Sequence, residues 1–198
     1  VAGVNVVAVE NEKQRKHMKQ ELLIGCGSNR IKRLTIDGTD AFTNLTTLDY
    51  NADHNPDIVW DLMHPDVLPT SMEDNSFDEI HAYEVLEHLG TQGDYKLFFK
   101  QFSEFWRVLK PNGFFMAKFP SRHSEWALGD PSHTRILQVE NFFFLCQPNY
   151  DEVGTTAMSD FRNIYQADFD MVYAIDDKDT VLIILKAIKP SRIKGKNT

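Results

Sequence analysis

The sequence predicts an α/β fold, a doubly wound and mostly parallel sheet of seven strands that closes with an antiparallel hairpin. Three patterns carry that prediction. Short apolar runs of β character alternate with turns and helical patterns along most of the 198 residues, as in a parallel sheet covered by helices. Between residues 94 and 110 the apolar side chains recur at three- and four-residue steps, which is one face of a helix. Late in the chain, two β-like runs flank Asp176-Asp177-Lys178-Asp179, a polar turn that sends the chain back on itself.

Taken in order, residues 1–20 end in an almost wholly polar stretch and read as a solvated arm or helix ahead of the first strand. Strands are expected at 21–24, 45–49, 58–60, 77–82 and 113–119. The helix at 94–110 presents Tyr95, Phe98, Phe99, Phe102, Phe105, Trp106 and Leu109 to the sheet. Lys110-Pro111-Asn112-Gly113 ends it, because proline disfavours helical geometry at the residue before it and Asn-Gly makes a tight turn. The hairpin strands fall at 169–175 and 180–188. Residues 21–189 then form one domain, and the basic 190–198 reads as a frayed tail.

Composition narrows the function. With 42% hydrophobic residues the chain can bury a sizeable core. Its net charge of −8 argues against a phosphate backbone as the main partner, since that needs clustered Lys and Arg. Cys26 and Cys146 are far apart and form no CxxC pair, so no disulfide framework or cysteine zinc site is expected, and a cytoplasmic setting fits. No apolar run approaches the roughly 20 residues that span a bilayer, so no membrane association is expected. The histidines show no HxH or HExxH spacing, and no metal is expected.

The chemistry begins at Gly25-Cys26-Gly27, directly after the first apolar strand. Glycines there permit a sharp turn and a close backbone approach to a ligand, although an ordinary strand-to-helix turn uses them too. Asp49 ends the second strand, where a carboxylate can accept both hydroxyls of a ribose. Loop and carboxylate together imply a nucleoside cofactor. Asp61, after the third strand, can accept an adenine amino group or can simply be a solvated turn residue.

The order and spacing of Leu22-Leu23-Ile24-Gly25-Cys26-Gly27, Thr47-Leu48-Asp49, Asp57 to Leu62, Asn75 to Ile80, Tyr83-Glu84-Val85-Leu86-Glu87-His88-Leu89 and Arg107 to Gly113 resemble the class I methyltransferases, in particular the type 11 group. The resemblance implies a Rossmann-like methyltransferase fold and S-adenosyl-L-methionine as cofactor. It places Gly25, Cys26 and Gly27 at the methionine part, Asp49 at the ribose, Asp61 and Leu62 at the adenine, and Tyr83 and Glu84 beneath the sulfonium, with Tyr50 also among the cofactor-binding residues. Two departures stand out. Leu23 occupies a position where relatives carry an acidic residue or Asn, and Asn29 replaces the third glycine.

Methyl transfer from a sulfonium is an in-line displacement of an already activated group, so orientation and water exclusion are the protein's main tasks. Where the acceptor carries a proton, His133, His123 and His88 are the candidate bases. His133 lies in Asp130-Pro131-Ser132-His133, which resembles an Asp-Pro-x-His stretch of type 11 relatives. Residues 121–168 are the expected acceptor-side cover, with Trp126, Tyr150, Phe161 and Tyr165 as aromatic candidates and Phe142-Phe143-Phe144 as either core or pocket wall. A small-molecule acceptor is expected. Nucleic-acid modification is less favoured, because Ala82-Tyr83-Glu84-Val85 stands where amino-methylating nucleic-acid enzymes carry an Asn or Asp followed by Pro-Pro. An NAD-dependent oxidoreductase and a non-catalytic cofactor-binding protein are the remaining alternatives.

Overall fold

In a computed structural model, residues 18–194 form a seven-stranded sheet of order β3-β2-β1-β4-β5-β7-β6. The strands are β1 (Gln20–Ile24), β2 (Asn44–Asp49), β3 (Ile58–Val59), β4 (Phe77–Tyr83), β5 (Leu109–Pro120), β6 (Phe169–Asp176) and β7 (Thr180–Ala187). The first five run parallel, and β7 pairs antiparallel with both β5 and β6. The order reverses between β1 and β4, so their C-terminal ends diverge at the crevice where open α/β sheets bind ligands.

The predicted helix is α1 (Tyr95–Val108), capped by Asp94, whose side chain accepts from Leu97 N at 3.1 Å. It buries Phe98, Phe99, Phe102, Phe105 and Val108 against the sheet, with Phe105 stacked on Phe115 of β5. Tyr95 alone among the predicted face residues is largely exposed, its ring packed against Phe161 at 5.4 Å. Asn112 takes a left-handed φ of 64°, and the extra residues of Lys110 to Gly113 bulge out of the β4–β5 register as the sequence leads one to expect of a turn.

The expectation of helices over the crossovers meets a difference. Neither the β1–β2 nor the β3–β4 connection contains an α-helix among the described residues. The chain after Gly27 instead runs without regular secondary structure and delivers Lys32 to Glu21 and Glu79 at 2.6 and 2.8 Å. His81 and Tyr83 complete this buried network. The Tyr83 hydroxyl accepts from Arg33 N and Leu34 N, so its proton goes to His81 Nδ1 at 2.6 Å, and His81 Nε2 then donates to Glu79 at 3.1 Å. Burial opposes the Glu79 charge, yet the bonds from His81, Lys19 and Lys32 hold its carboxyl well below the usual range. The same burial pushes His81 down and keeps it neutral.

Residues 121–168 carry α2 (Trp126–Gly129), α3 (Val139–Phe143) and a 3-10 turn at Gln147–Glu152. The polar stretch at 11–17 lies outside the described residues, as do 195–198 of the basic tail. The beginning of that tail is tied down rather than frayed: Arg192 pairs with buried Asp168 at 2.7 Å and with Asp170 at 2.6 Å. No helix among the described residues is long and apolar enough to cross a membrane.

Candidate functional site

The loop that follows β1 turns through left-handed backbone at both glycines, with φ of 58° at Gly25 and 52° at Gly27. A side chain at Gly25 would overlap Val85, its Cβ falling 2.7 Å from the Val85 Cβ. Two hydrogen bonds fasten the loop to β2. Cys26 N donates to Leu48 O at 3.2 Å, and Gly27 N donates to Asp49 Oδ2 at 2.8 Å. The other Asp49 oxygen accepts from Asn51 N at 2.9 Å, leaving each oxygen lone-pair capacity for a ligand.

A cavity of about 490 Å³ opens at these strand ends. Of the residues expected around a cofactor, Gly25, Gly27, Asp49, Tyr50, Asp61, Leu62 and Glu84 line it, joined by Trp60, Met63 and His54, whose Nδ1 lies 3.2 Å from Asp49. Cys26 and Tyr83 do not. Cys26 packs with Leu23 into a small apolar cluster, and Tyr83 points below the sheet into the Glu79–His81 network. In a strand only alternate side chains reach one face, and Tyr83 and Glu84 fall on opposite sides. Leu23 is 1% exposed and packs in that same cluster, while Asn29 closes a local turn by accepting from Ile31 N.

Beside the first cavity lies a second, of about 600 Å³, whose walls include Glu84, Glu87, His88, Lys118, Trp126, Asp130 and His133. Glu84 and His88 line both cavities. Glu84 sits at a left-handed φ of 55°, strained for a residue with a side chain, and its carboxylate pairs with Lys118. Strain held at a cavity mouth is where function most often concentrates it.

His133 reaches this place through backbone pairing. Glu87 O accepts from Thr134 N at 3.0 Å and Arg135 N at 3.2 Å, which lays the Asp130–Arg135 segment against the 3-10 turn Leu86–His88 that follows β4. His133 Nε2 then stands 3.9 Å from Glu87 Oε1 and 3.9 Å from Asp130 Oδ2, and its ring meets that of His88 edge-on at 4.7 Å. His88 Nδ1 lies 3.2 Å from Ser132 O. A carbonyl only accepts, so that nitrogen carries the proton and Nε2 keeps its lone pair. Glu87 is buried without a hydrogen-bond partner on either carboxylate oxygen, and burial, with the Glu84 charge beside it, pushes its carboxyl up to about 8.

The three candidate bases therefore separate. His88 and His133 converge, whereas His123 is exposed, lines neither cavity and takes a hydrogen bond from Arg122 at 3.0 Å. Of the four aromatic candidates in the cover only Trp126 lines the second cavity; Tyr150 and Tyr165 are core, and Phe161 packs against Phe99. Phe142 is core, stacked on Phe119, while Phe143 is largely exposed. Glu87 is the residue that sequence reasoning passed over. Its neighbour His88 drew attention, but nothing local signals that the carboxyl is buried and unpaired.

The expectation of no metal rested on short-range spacing. Glu87, His88 and His133 nonetheless each offer a ligand atom within 4.8 Å of the other two.

Comparison with known proteins bears on this site. Residues 22–117 match the family model described as a methyltransferase domain. The fold is similar to that of a SAM-dependent methyltransferase from Archaeoglobus fulgidus, at 16% identity and a TM-score of 0.53, covering 91% of this chain and 93% of that one. It is also similar to the N-methyltransferase NodS from Bradyrhizobium japonicum WM9 in complex with S-adenosyl-L-homocysteine, at 15% identity, TM-score 0.51, and coverage of 93% and 89%. YcgJ protein from Bacillus subtilis aligns at 13% identity, TM-score 0.51, over 92% of this chain and 98% of that chain. No curated protein matches the chain.

Proposed function

We propose that this chain, whose residues 22–117 match a methyltransferase domain, is a class I, S-adenosylmethionine-dependent methyltransferase that methylates a small-molecule acceptor held in the second cavity. One observation carries the reading: the two cavities share Glu84 and His88, so a ligand in each would meet at that wall. A volume of about 600 Å³ is that of a small-molecule pocket, which typically measures a few hundred to about 1,000 Å³.

The donor set of the first cavity fits S-adenosylmethionine. The Gly25–Gly27 backbone and Glu84 suit the methionine part and its cationic sulfonium, Asp49 the ribose hydroxyls, and Asp61 with Trp60 and Leu62 an adenine ring. When bound there, the cofactor supplies an electrophilic methyl group. The chain's own residues then have three tasks. Glu84 and His88 orient the acceptor across the shared wall, the apolar walls Leu48, Trp60 and Leu62 exclude water, and the buried Glu87–His133 cluster holds the acceptor's polar reacting group at that wall.

The test is to incubate the protein with methyl-labelled S-adenosylmethionine and cell extract divided into small-molecule, nucleic-acid and protein fractions. Label appearing in the small-molecule fraction, and lost with E87Q, is the expected result. Label confined to nucleic acid or protein would sink the acceptor assignment.

A further inference from the structure

We propose that Glu87, His88 and His133 form a binding site for a divalent first-row transition-metal ion at the inner wall of the second cavity. Glu87 is 3% exposed and the His133 side chain 7%, so both are taken from water. Neither carboxylate oxygen of Glu87 and not the Nδ1 of His133 has a hydrogen-bond partner. A buried carboxylate left without any donor costs several kcal/mol unless a cation or a proton satisfies it.

The protein contains an instructive counterpart. Glu21, Glu79 and His81 form a similar buried group of two carboxylates and an imidazole, and there the Lys32 ammonium sits between the carboxylates at 2.6 and 2.8 Å. Around Glu87 no side chain among the described residues plays that part. Lys118 is engaged with Glu84, and the Arg135 guanidinium donates to Leu86 O at 3.0 Å and Gln101 Oε1 at 3.1 Å. The vacant cationic role falls to a ligand.

The donor chemistry selects the ion. Two imidazoles and a carboxylate suit zinc, manganese or iron(II) better than calcium or magnesium, which prefer all-oxygen shells. Ligand atoms around a tetrahedral zinc stand roughly 3.4 Å apart. The three atoms here lie within 4.8 Å of one another, so small side-chain rotations close the site. His88 is already oriented as metal-bound histidines are, with its Nδ1 proton on the Ser132 carbonyl at 3.2 Å and its Nε2 lone pair free. Asp130, 3.9 Å from His133 Nε2, is placed to hold that ring in turn. Metal binding itself is independent of the acceptor reading; only its consequence, an ion that draws an acceptor oxygen to the wall shared with the first cavity, rests on that reading.

The test uses the full chain, freed of metal by chelation, titrated calorimetrically with Zn²⁺ and with Mn²⁺, and separately with S-adenosylhomocysteine. One ion per chain is expected, weakened roughly tenfold or more by E87Q and by H133A. Glu87 and His133 line the second cavity and not the first, so both variants should bind S-adenosylhomocysteine like the parent, which also certifies their folding. Absence of ion binding in the parent, or binding that both variants retain undiminished, overturns the site. Failure of the parent to bind S-adenosylhomocysteine counts against the cofactor reading and leaves the metal titration to be judged separately.

Discussion

Replacing Gly25 with alanine tests whether the loop after β1 is dictated by its backbone or merely tolerates glycine. At a φ of 58° an alanine pays the left-handed penalty, about 1–2 kcal/mol. Its Cβ would also overlap the side chain of Val85, a residue 8% exposed and hemmed in by the core, and forcing it aside costs a further 1–3 kcal/mol or so. G25A should therefore lose about 2–5 kcal/mol of stability. Gly27 supplies the internal control, for its φ of 52° carries the same backbone penalty while its Cβ would meet no protein atom within 4 Å. G27A should lose only about 1–2 kcal/mol. Urea unfolding followed by circular dichroism measures both. Equal losses in the two variants, or a G25A loss under about 1 kcal/mol, would refute the reasoning, because the overlap with Val85 would then be relieved at no cost.

Further predictions concern the network under the sheet. K32M removes the ammonium between Glu21 and Glu79 and should destabilise the fold by about 3–5 kcal/mol by urea unfolding, since it strands buried carboxylates; a loss below about 1 kcal/mol would mean that water or Lys19 replaces it. Y83F deletes the hydroxyl that serves two backbone N–H groups and His81, for an expected loss of about 1–3 kcal/mol with S-adenosylhomocysteine affinity unchanged; a large loss of affinity would put Tyr83 in the cofactor site after all. The pH dependence follows from Glu79 and His81. His81 is depressed, so the unfolded state gains a proton first as pH drops below about 6.5, and depressed Glu79 adds its own loss below about 4.5. Glu87 acts in the opposite sense, because its raised pKa favours the folded state as pH falls from about 8. In E87Q, stability should then fall continuously on acidification from pH 7, and a flat profile down to pH 5 would contradict a neutral buried His81.

Much of the fold was legible because its signals are local. The apolar steps of α1 are set by helical period, the Asp176–Asp179 turn by its own composition, and the pairing of Gly27 with Asp49 by two strands adjacent in sequence and in the sheet. That the β1–β2 crossover carries no helix was not legible. Its course is fixed by Lys32 reaching carboxylates on β1 and β4, a charge balance no window of sequence displays. The resemblance puts Cys26 and Tyr83 at the cofactor, but neighbouring side chains leave a strand end on opposite faces. The union of Glu87 with His133 was illegible for the same reason as the crossover. It depends on Thr134 and Arg135 donating to the Glu87 carbonyl, a backbone pairing between segments far apart in sequence.

The central claim is that the first cavity receives the nucleoside of S-adenosylmethionine through Asp49. Isothermal titration with S-adenosylhomocysteine should give one molecule per chain, and D49N, which keeps an acceptor for only one of the two backbone N–H groups and loses the charge-assisted bonds, should weaken it roughly ten- to a hundredfold. Undiminished binding by D49N, or heat released by NAD and none by S-adenosylhomocysteine, would contradict it.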